Sequence, residues 1–219
     1  MLKYKCLVLD HDDTVVKTTA EIHYPSFKQT ISEVKPWVSV TEKEFLLKCF
    51  NPGFFDYMEK ELEFTQAEMA YQLESWLKYV DDKIPNAYDG MKEIIHRQKA
   101  EGGLVCVVSH SYSKIIRRDY DARIGMQPDM IFGGEEPEDK RKPSVYPLEQ
   151  IAAAYGLQPK DMVMVDDLKP ALDMCKSFGV DFICAGWSHG IDEIIEYMKA
   201  ESPVYLTKTR DLADYLFEK

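Results

Sequence analysis

The stretch Tyr4–Val16, YKCLVLDHDDTVV, constrains the chain more than any other. Leu7, Val8 and Leu9 form a short apolar run. Such a run suits a strand buried in a parallel sheet. It ends abruptly in Asp10, His11, Asp12, Asp13 and Thr14. Carboxylates this close repel one another. A strand end gains nothing from them unless a cation or a chemical task is present. In open α/β sheets, ligands bind just beyond the carboxyl ends of strands. A solvated acidic turn, with Thr14 capping a helix, is the plainer reading of the same residues. The rest of the chain decides between the two.

From Ile84 onward, strand-like and helix-like stretches alternate. Met91–Ala100 reads as a helix with Met91, Ile94 and Ile95 inward, and Gly102-Gly103 ends it. Leu104–Val108 is a buried strand that stops at Ser109-His110-Ser111. Met130–Phe132 is a short strand, followed by an acidic run, Glu135–Asp139, and by Lys140-Arg141-Lys142-Pro143. Lys140 and Arg141 read as a solvated cluster that balances the acidic run. A helix over Tyr146–Tyr155 leads to the strand Met162–Val165, which ends in Asp166-Asp167. Helices over Leu168–Phe178 and Ile191–Lys199 flank a strand over Val180–Ala185, and Val204–Leu206 and Leu212–Phe217 close the chain. Alternation of this kind predicts an α/β core with a parallel sheet.

Residues 17–83 differ. They are rich in Glu, Lys, Phe, Tyr and Met and show no strand pattern. Ala20–Val34 reads as a helix. Thr41 and Glu44 form a capping-box start, as do Thr65 and Glu68. Asn51-Pro52-Gly53 breaks the intervening helix, and Phe54–Leu62 follows. Met69, Leu73, Trp76, Leu77 and Val80 recur at helical spacing, which predicts a packing stripe. Phe54, Phe55 and Tyr57 have two readings, the lining of a loop that faces the site or packing of the same region, and packing is preferred. The expected organisation is a core of residues 1–16 and 84–219 with a helical insertion over 17–83. The chain would cross between them near Lys17–Ala20 and Asp82–Asn86.

Composition narrows the partners. The formal net charge of −11 over 219 residues disfavours nonspecific nucleic-acid or anionic-membrane binding. An anionic substrate would therefore be drawn by local cations. No apolar run approaches the roughly 20 residues of a membrane span. The amino terminus meets acidic residues too soon for a signal peptide. Five cysteines, Cys6, Cys49, Cys106, Cys175 and Cys184, form no metal spacing and no CxxC pair. An odd, scattered set fits a reducing compartment, so a cytoplasmic location is expected. Nothing in the pattern addresses the oligomeric state.

The ordered set Asp10-x-Asp12-x-Thr14-Val15, Ser109, Lys142-Pro143 and Asp166-Asp167 resembles the four motifs of the haloacid dehalogenase-like (HAD) superfamily. The resemblance implies a Rossmann-like parallel sheet with the first strand central, and an all-helical cap domain inserted after that strand. It implies that Asp10 is a nucleophile and Asp12 a general acid/base. Ser109, Lys142 and Thr14 would surround the substrate phosphate, with Thr14 orienting the loop. Mg²⁺ would be held by Asp10, the Asp12 backbone carbonyl, Asp166 and Asp167. Clustered hard oxygens suit that ion, and the absence of thiolate or imidazole argues against zinc. His11 points away from Asp10 if the run stays extended.

The implied activity is a Mg²⁺-dependent phosphatase acting on a small phosphorylated metabolite through an aspartyl-phosphate. Asp12 favours phosphate chemistry, because family members that cleave carbon–halogen bonds lack a second Asp. Two departures stand out. Position 13, often Gly in the family, is Asp here. His23 lies one residue from its place in β-phosphoglucomutases, about 100° of rotation on a helix, so a sugar-phosphate mutase ranks second. A non-catalytic binding protein on the same fold is the third reading.

Overall fold

The computed structural model describes residues 2–217. Six strands, β1 (Cys6–Leu9), β2 (Leu104–Val108), β3 (Met130–Phe132), β4 (Met162–Asp166), β5 (Asp181–Ala185) and β6 (Val204–Leu206), form one sheet in the order β3-β2-β1-β4-β5-β6. Every neighbouring pair is parallel. Leu7 and Leu9 share one face with Val105, Val107, Val163 and Val165, under Met91, Ile95, Tyr120 and Leu212. Cys6, Val8, Cys106 and Met164 alternate with these and are also fully buried. Burial on both faces is why these strands read as unbroken apolar runs. The thiols of Cys6 and Cys106 lie 3.8 Å apart, and all five cysteines are free.

The sheet order places the site. The chain runs outward from β1 to β2 and β3, then returns to the other side of β1 with β4. The reversal lies at β1, so the carboxyl ends of β1, β2 and β4 adjoin there.

The chain divides into two compact units. One comprises Met1–Lys17, Asn86–Gly190 and Ile195–Lys219 and carries the sheet. Val16 and Ala87 pair there in an antiparallel bridge. Lys17 N donates to Asn86 O at 2.9 Å, and Tyr88 N to Val15 O at 2.9 Å. The outgoing and returning strands of the excursion therefore leave this unit side by side.

The second unit comprises Thr18–Pro85 and Ile191–Ile194. Residues 19–82 of it are helical wherever they are regular, with Tyr24–Val34, Glu42–Phe50 and Gln66–Asp82 as its longer helices. Both capping boxes form. Glu44 N donates to Thr41 Oγ1 at 3.2 Å, and Glu68 N to Thr65 Oγ1 at 3.3 Å. In return, Thr65 N donates to Glu68 Oε2 at 2.7 Å. Phe27, Ile31, Phe45, Tyr57, Met58 and Phe64 make its core, with Phe54 packed against them. Phe55 is 62% exposed and lies outside that core, its ring edge-on to Phe54 at 5.7 Å. The stripe on Gln66–Asp82 also departs from its spacing. Val80 is buried, but Leu73 is 42% exposed while the neighbouring Gln72 is buried. The buried face is rotated toward Gln72, a rotation that periodicity alone does not specify when several apolar positions surround the axis.

Thr65→Ala should lower the unfolding free energy by about 1 kcal/mol, the usual worth of an N-cap hydroxyl, while Leu73→Ala should change it by less than about 0.5 kcal/mol. Urea titrations of the two variants check this contrast.

Candidate active site

Asp10 follows β1 directly, and its N–H donates to Val165 O on β4 at 2.9 Å. The chain then turns tightly. His11 O accepts from Val15 N at 3.0 Å and Val16 N at 3.1 Å, and Asp13 N donates to Val16 O at 2.7 Å. This turn needs a left-handed residue, and Asp13 supplies it with φ +56°. Asp tolerates that region better than most residues with a Cβ. The backbone requirement explains why Gly suits position 13, and Asp meets it while adding a charge. Thr14 is fully buried, and its carbonyl accepts from Trp187 Nε1 at 3.2 Å. Its Oγ1 finds no hydrogen-bond partner among the described residues.

Lys142 crosses from its loop to bridge the ends of β1 and β4. Its Nζ donates to Asp10 Oδ1 at 2.8 Å and to Asp166 Oδ2 at 2.6 Å. These side chains are only 6%, 6% and 2% exposed. Oxygen atoms of Asp10, Asp166 and Asp167 lie within 4.8 Å of one another. Burial pulls the Lys142 ammonium down, but the two carboxylates outweigh it and hold the group above the usual lysine range. Burial pushes Asp166 up to about 7 despite Lys142. Burial, with Asp166, Asp13 and Asp10 nearby, holds Asp167 well above the usual carboxylate range. One ammonium does not offset three buried carboxylates and Asp13. The shortfall in positive charge and an all-oxygen donor set fit a hard divalent cation such as Mg²⁺.

The end of β2 approaches the other carboxylate of the loop. Ser111 Oγ donates to Asp12 Oδ2 at 2.6 Å, and Ser109 Oγ donates to the same oxygen at 3.3 Å. The next helix runs over Ser113–Asp119 with Tyr112 at its N-cap. Between the serines, His110 Nε2 lies 3.3 Å from Lys142 O. Burial and the Lys142 charge lower its pKa.

His11 turns away from the carboxylates, as an extended strand end requires. Its Nε2 lies 3.1 Å from Asp119 Oδ2, with both side chains fully buried. Arg118 Nε and Nη2 donate to Asp119 Oδ1 at 2.8 and 2.7 Å. The His11 ring stacks on Tyr120 at 6.0 Å. The motif loop is thereby anchored from the side opposite its carboxylates.

The structure thus brings Asp10, Lys142, Asp166 and Asp167 together and joins Asp12 to Ser109. Sequence reasoning did not single out Ser111 or Asp119. Ser111 carried a weak signal, because it stands two residues from Ser109 on an extended segment and so shares its side. Asp119 carried none, being 108 residues from His11.

His23 requires a correction. Thr19–His23 is a π-helical turn leading into Tyr24–Val34. Its bonding is i→i+5, with Tyr24 N donating to Thr19 O, so the α-helical rotation per residue does not apply across this turn. Trp76 Nε1 donates to His23 Nδ1 at 3.0 Å, which leaves the ring proton on Nε2.

Residues 7–185 match the family of haloacid dehalogenase-like hydrolases. The chain belongs to that family. Among solved structures, it resembles a predicted phosphoglycolate phosphatase from Haemophilus somnus 129PT, at 20% identity, with 98% of this chain and 99% of that one covered and a TM-score of 0.81. It also resembles a haloacid dehalogenase-like family hydrolase from Streptococcus pneumoniae, at 13% identity, with 97% and 98% covered and a TM-score of 0.77. A third likeness is to a variant of CbbY from Rhodobacter sphaeroides in complex with xylulose-(1,5)bisphosphate, at 17% identity, with 95% and 96% covered and a TM-score of 0.73. At such identities the likeness is one of fold. No curated protein matches the chain.

Two outcomes follow from the electrostatics and the backbone of this HAD site. Asp13→Ala should be less stable than Asp13→Gly by about 1 kcal/mol, because alanine bears the left-handed strain that glycine escapes. Paired denaturant curves measure this. Asp166 has a folded pKa of about 7, above its ordinary 3.8, so the folded protein holds more protons between those values. Its contribution to stability is present at acid pH and lost as pH rises through 7. In a chelator, wild type should lose melting temperature relative to Asp166→Asn between pH 5 and 8. Added Mg²⁺ should raise the wild-type value more at pH 8 than at pH 5, because protons compete for the ligands.

Proposed function

We propose that the chain is a Mg²⁺-dependent phosphatase that hydrolyses a small phosphorylated metabolite through an aspartyl-phosphate. One observation carries the reading: two carboxylates of one loop have opposite surroundings. Asp10 lies against an ammonium, 2.8 Å from Lys142 Nζ, while Asp12 accepts hydroxyl protons from Ser111 and Ser109 at 2.6 and 3.3 Å. Two acids whose environments differ in this way suit two different roles.

Asp10 is the nucleophile. Its carboxylate oxygen forms a bond to phosphorus as the bond to the leaving oxygen breaks. Asp12 protonates that leaving oxygen, then takes a proton from the water that hydrolyses the aspartyl-phosphate. Ser109 and Lys142 offset charge on the transferring group, the main demand of phosphoryl transfer. In this reading Thr14 joins them at the phosphate and orients the loop. Asp10, the Asp12 backbone carbonyl, Asp166 and Asp167 would hold Mg²⁺. Bound there, the ion supplies the positive charge that lets a phosphate dianion approach a carboxylate.

Residues 1–16 and 84–219 form the catalytic core in this reading, and residues 17–83 form the helical cap that such hydrolases carry after the first strand. The sugar bisphosphate bound in the CbbY complex supports a small phosphorylated substrate. Five free cysteines support a cytoplasmic location, and no helix of the described residues is long and apolar enough to cross a membrane. A sugar-phosphate mutase is the second reading.

Phosphate release from aryl phosphates and a panel of phosphorylated metabolites tests the proposal. Wild type should release phosphate with Mg²⁺ and not in chelator, and Asp10→Asn should lower kcat by at least about 10³-fold. Undiminished turnover by Asp10→Asn would sink the reading. Interconversion of hexose phosphate isomers without net release would shift it to the mutase.

A further inference from the structure

Ser111 holds no place in the mechanism just described, yet it makes the shorter of the two hydroxyl contacts to Asp12. Its Oγ lies 2.6 Å from Asp12 Oδ2, against 3.3 Å for Ser109. The residue is buried, and its backbone is held by Gly134, whose N–H donates to Ser111 O at 2.9 Å. A Cβ at Gly134 would collide with the His110 carbonyl, and one at Gly133 would come within 2.7 Å of Ser113 N. The Gly133-Gly134 loop therefore packs tightly along residues 110–113 and fixes where the Ser111 hydroxyl stands.

A hydroxyl has one proton to donate. Ser109 is committed to a phosphate oxygen once substrate binds, so it does not hold Asp12 at the same time. Ser111 is then the serine left to restrain the acid. An oxygen that already accepts a hydroxyl proton at 2.6 Å is the poorer seat for the acid proton, which goes to Oδ1 instead.

We infer that Ser111 is a positioning residue that orients the Asp12 carboxyl for protonation of the leaving group, an inference that rests on the phosphatase reading. In the first step the Asp10–phosphorus bond forms, the bond from phosphorus to the leaving oxygen breaks, and the Asp12 proton passes to that oxygen. Ser111 acts through Asp12, its Oγ donating to Asp12 Oδ2. Its removal therefore matters most when the leaving oxygen is basic and needs the proton. A residue that only supported the fold would affect all esters alike.

The test compares kcat/KM for phenyl phosphate and p-nitrophenyl phosphate, two esters of similar shape. The phenol leaving group is the more basic, with a pKa of about 10 like that of tyrosine. Ser111→Ala should lose about tenfold more on phenyl phosphate than on p-nitrophenyl phosphate. Ser111→Thr, which keeps a hydroxyl, should return the ratio toward wild type. Ser111→Cys, a weaker donor of similar shape, gives the same comparison should the alanine variant not fold. Equal losses on both esters, or no recovery with threonine, would overturn the inference while leaving the phosphatase reading intact. Undiminished release by Asp10→Asn, run in parallel, would overturn both.

Discussion

A buried ammonium among buried carboxylates sets the terms for the rest of this molecule. Lys142 bonds Asp10 at the end of β1 and Asp166 at the end of β4. Asp167 lies alongside them. Separating such a pair from water is costly, and a single lysine leaves negative charge uncompensated. The remaining cost appears in Asp166 and Asp167, whose ionisation burial opposes. This all-oxygen cluster fits a hard divalent cation, as the proposed function requires.

The sheet and the first loop are arranged around that site. β1 must lie between β2 and β4 for its terminal carboxylate to meet residues from both neighbours. Apolar burial on both faces holds β1 there. The tight turn at Asp13 then brings Asp12 back toward Ser109 and Ser111, and the buried His11–Asp119 contact fastens the loop from behind. The result is one carboxylate beside an ammonium and another beside hydroxyls, from a run of alternating residues in one loop. Burial and neighbours give the two acids different chemistry.

Much of this was legible in the chain. The apolar runs, their period and the charged or hydroxylic residues that stop them marked β1, β2 and β4 and the ends that carry Asp10, Ser109 and Asp166. The two Thr-x-x-Glu boxes marked helix starts that form as written, because a capping box is closed by residues three apart. The side chains that hold Asp12 and His11 were harder. Ser111 is ordinary in composition, and its value comes from a β2–β1 adjacency. Asp119 lies within a helix and declares nothing until the helix packs against the first loop. The misplaced stripe at Leu73 has a plain cause: helical phase is set by what a helix packs on, and local spacing leaves it undetermined.

By itself, then, the sequence determined the α/β core, the helical insertion, the acids and serine at strand ends and the lysine in its loop. These follow from local rules of period, capping and burial. Tertiary structure alone decided which hydroxyl holds Asp12, what anchors His11 and how far burial shifts the acids. Those depend on distances between residues far apart in the chain, and on how completely water is removed from between them.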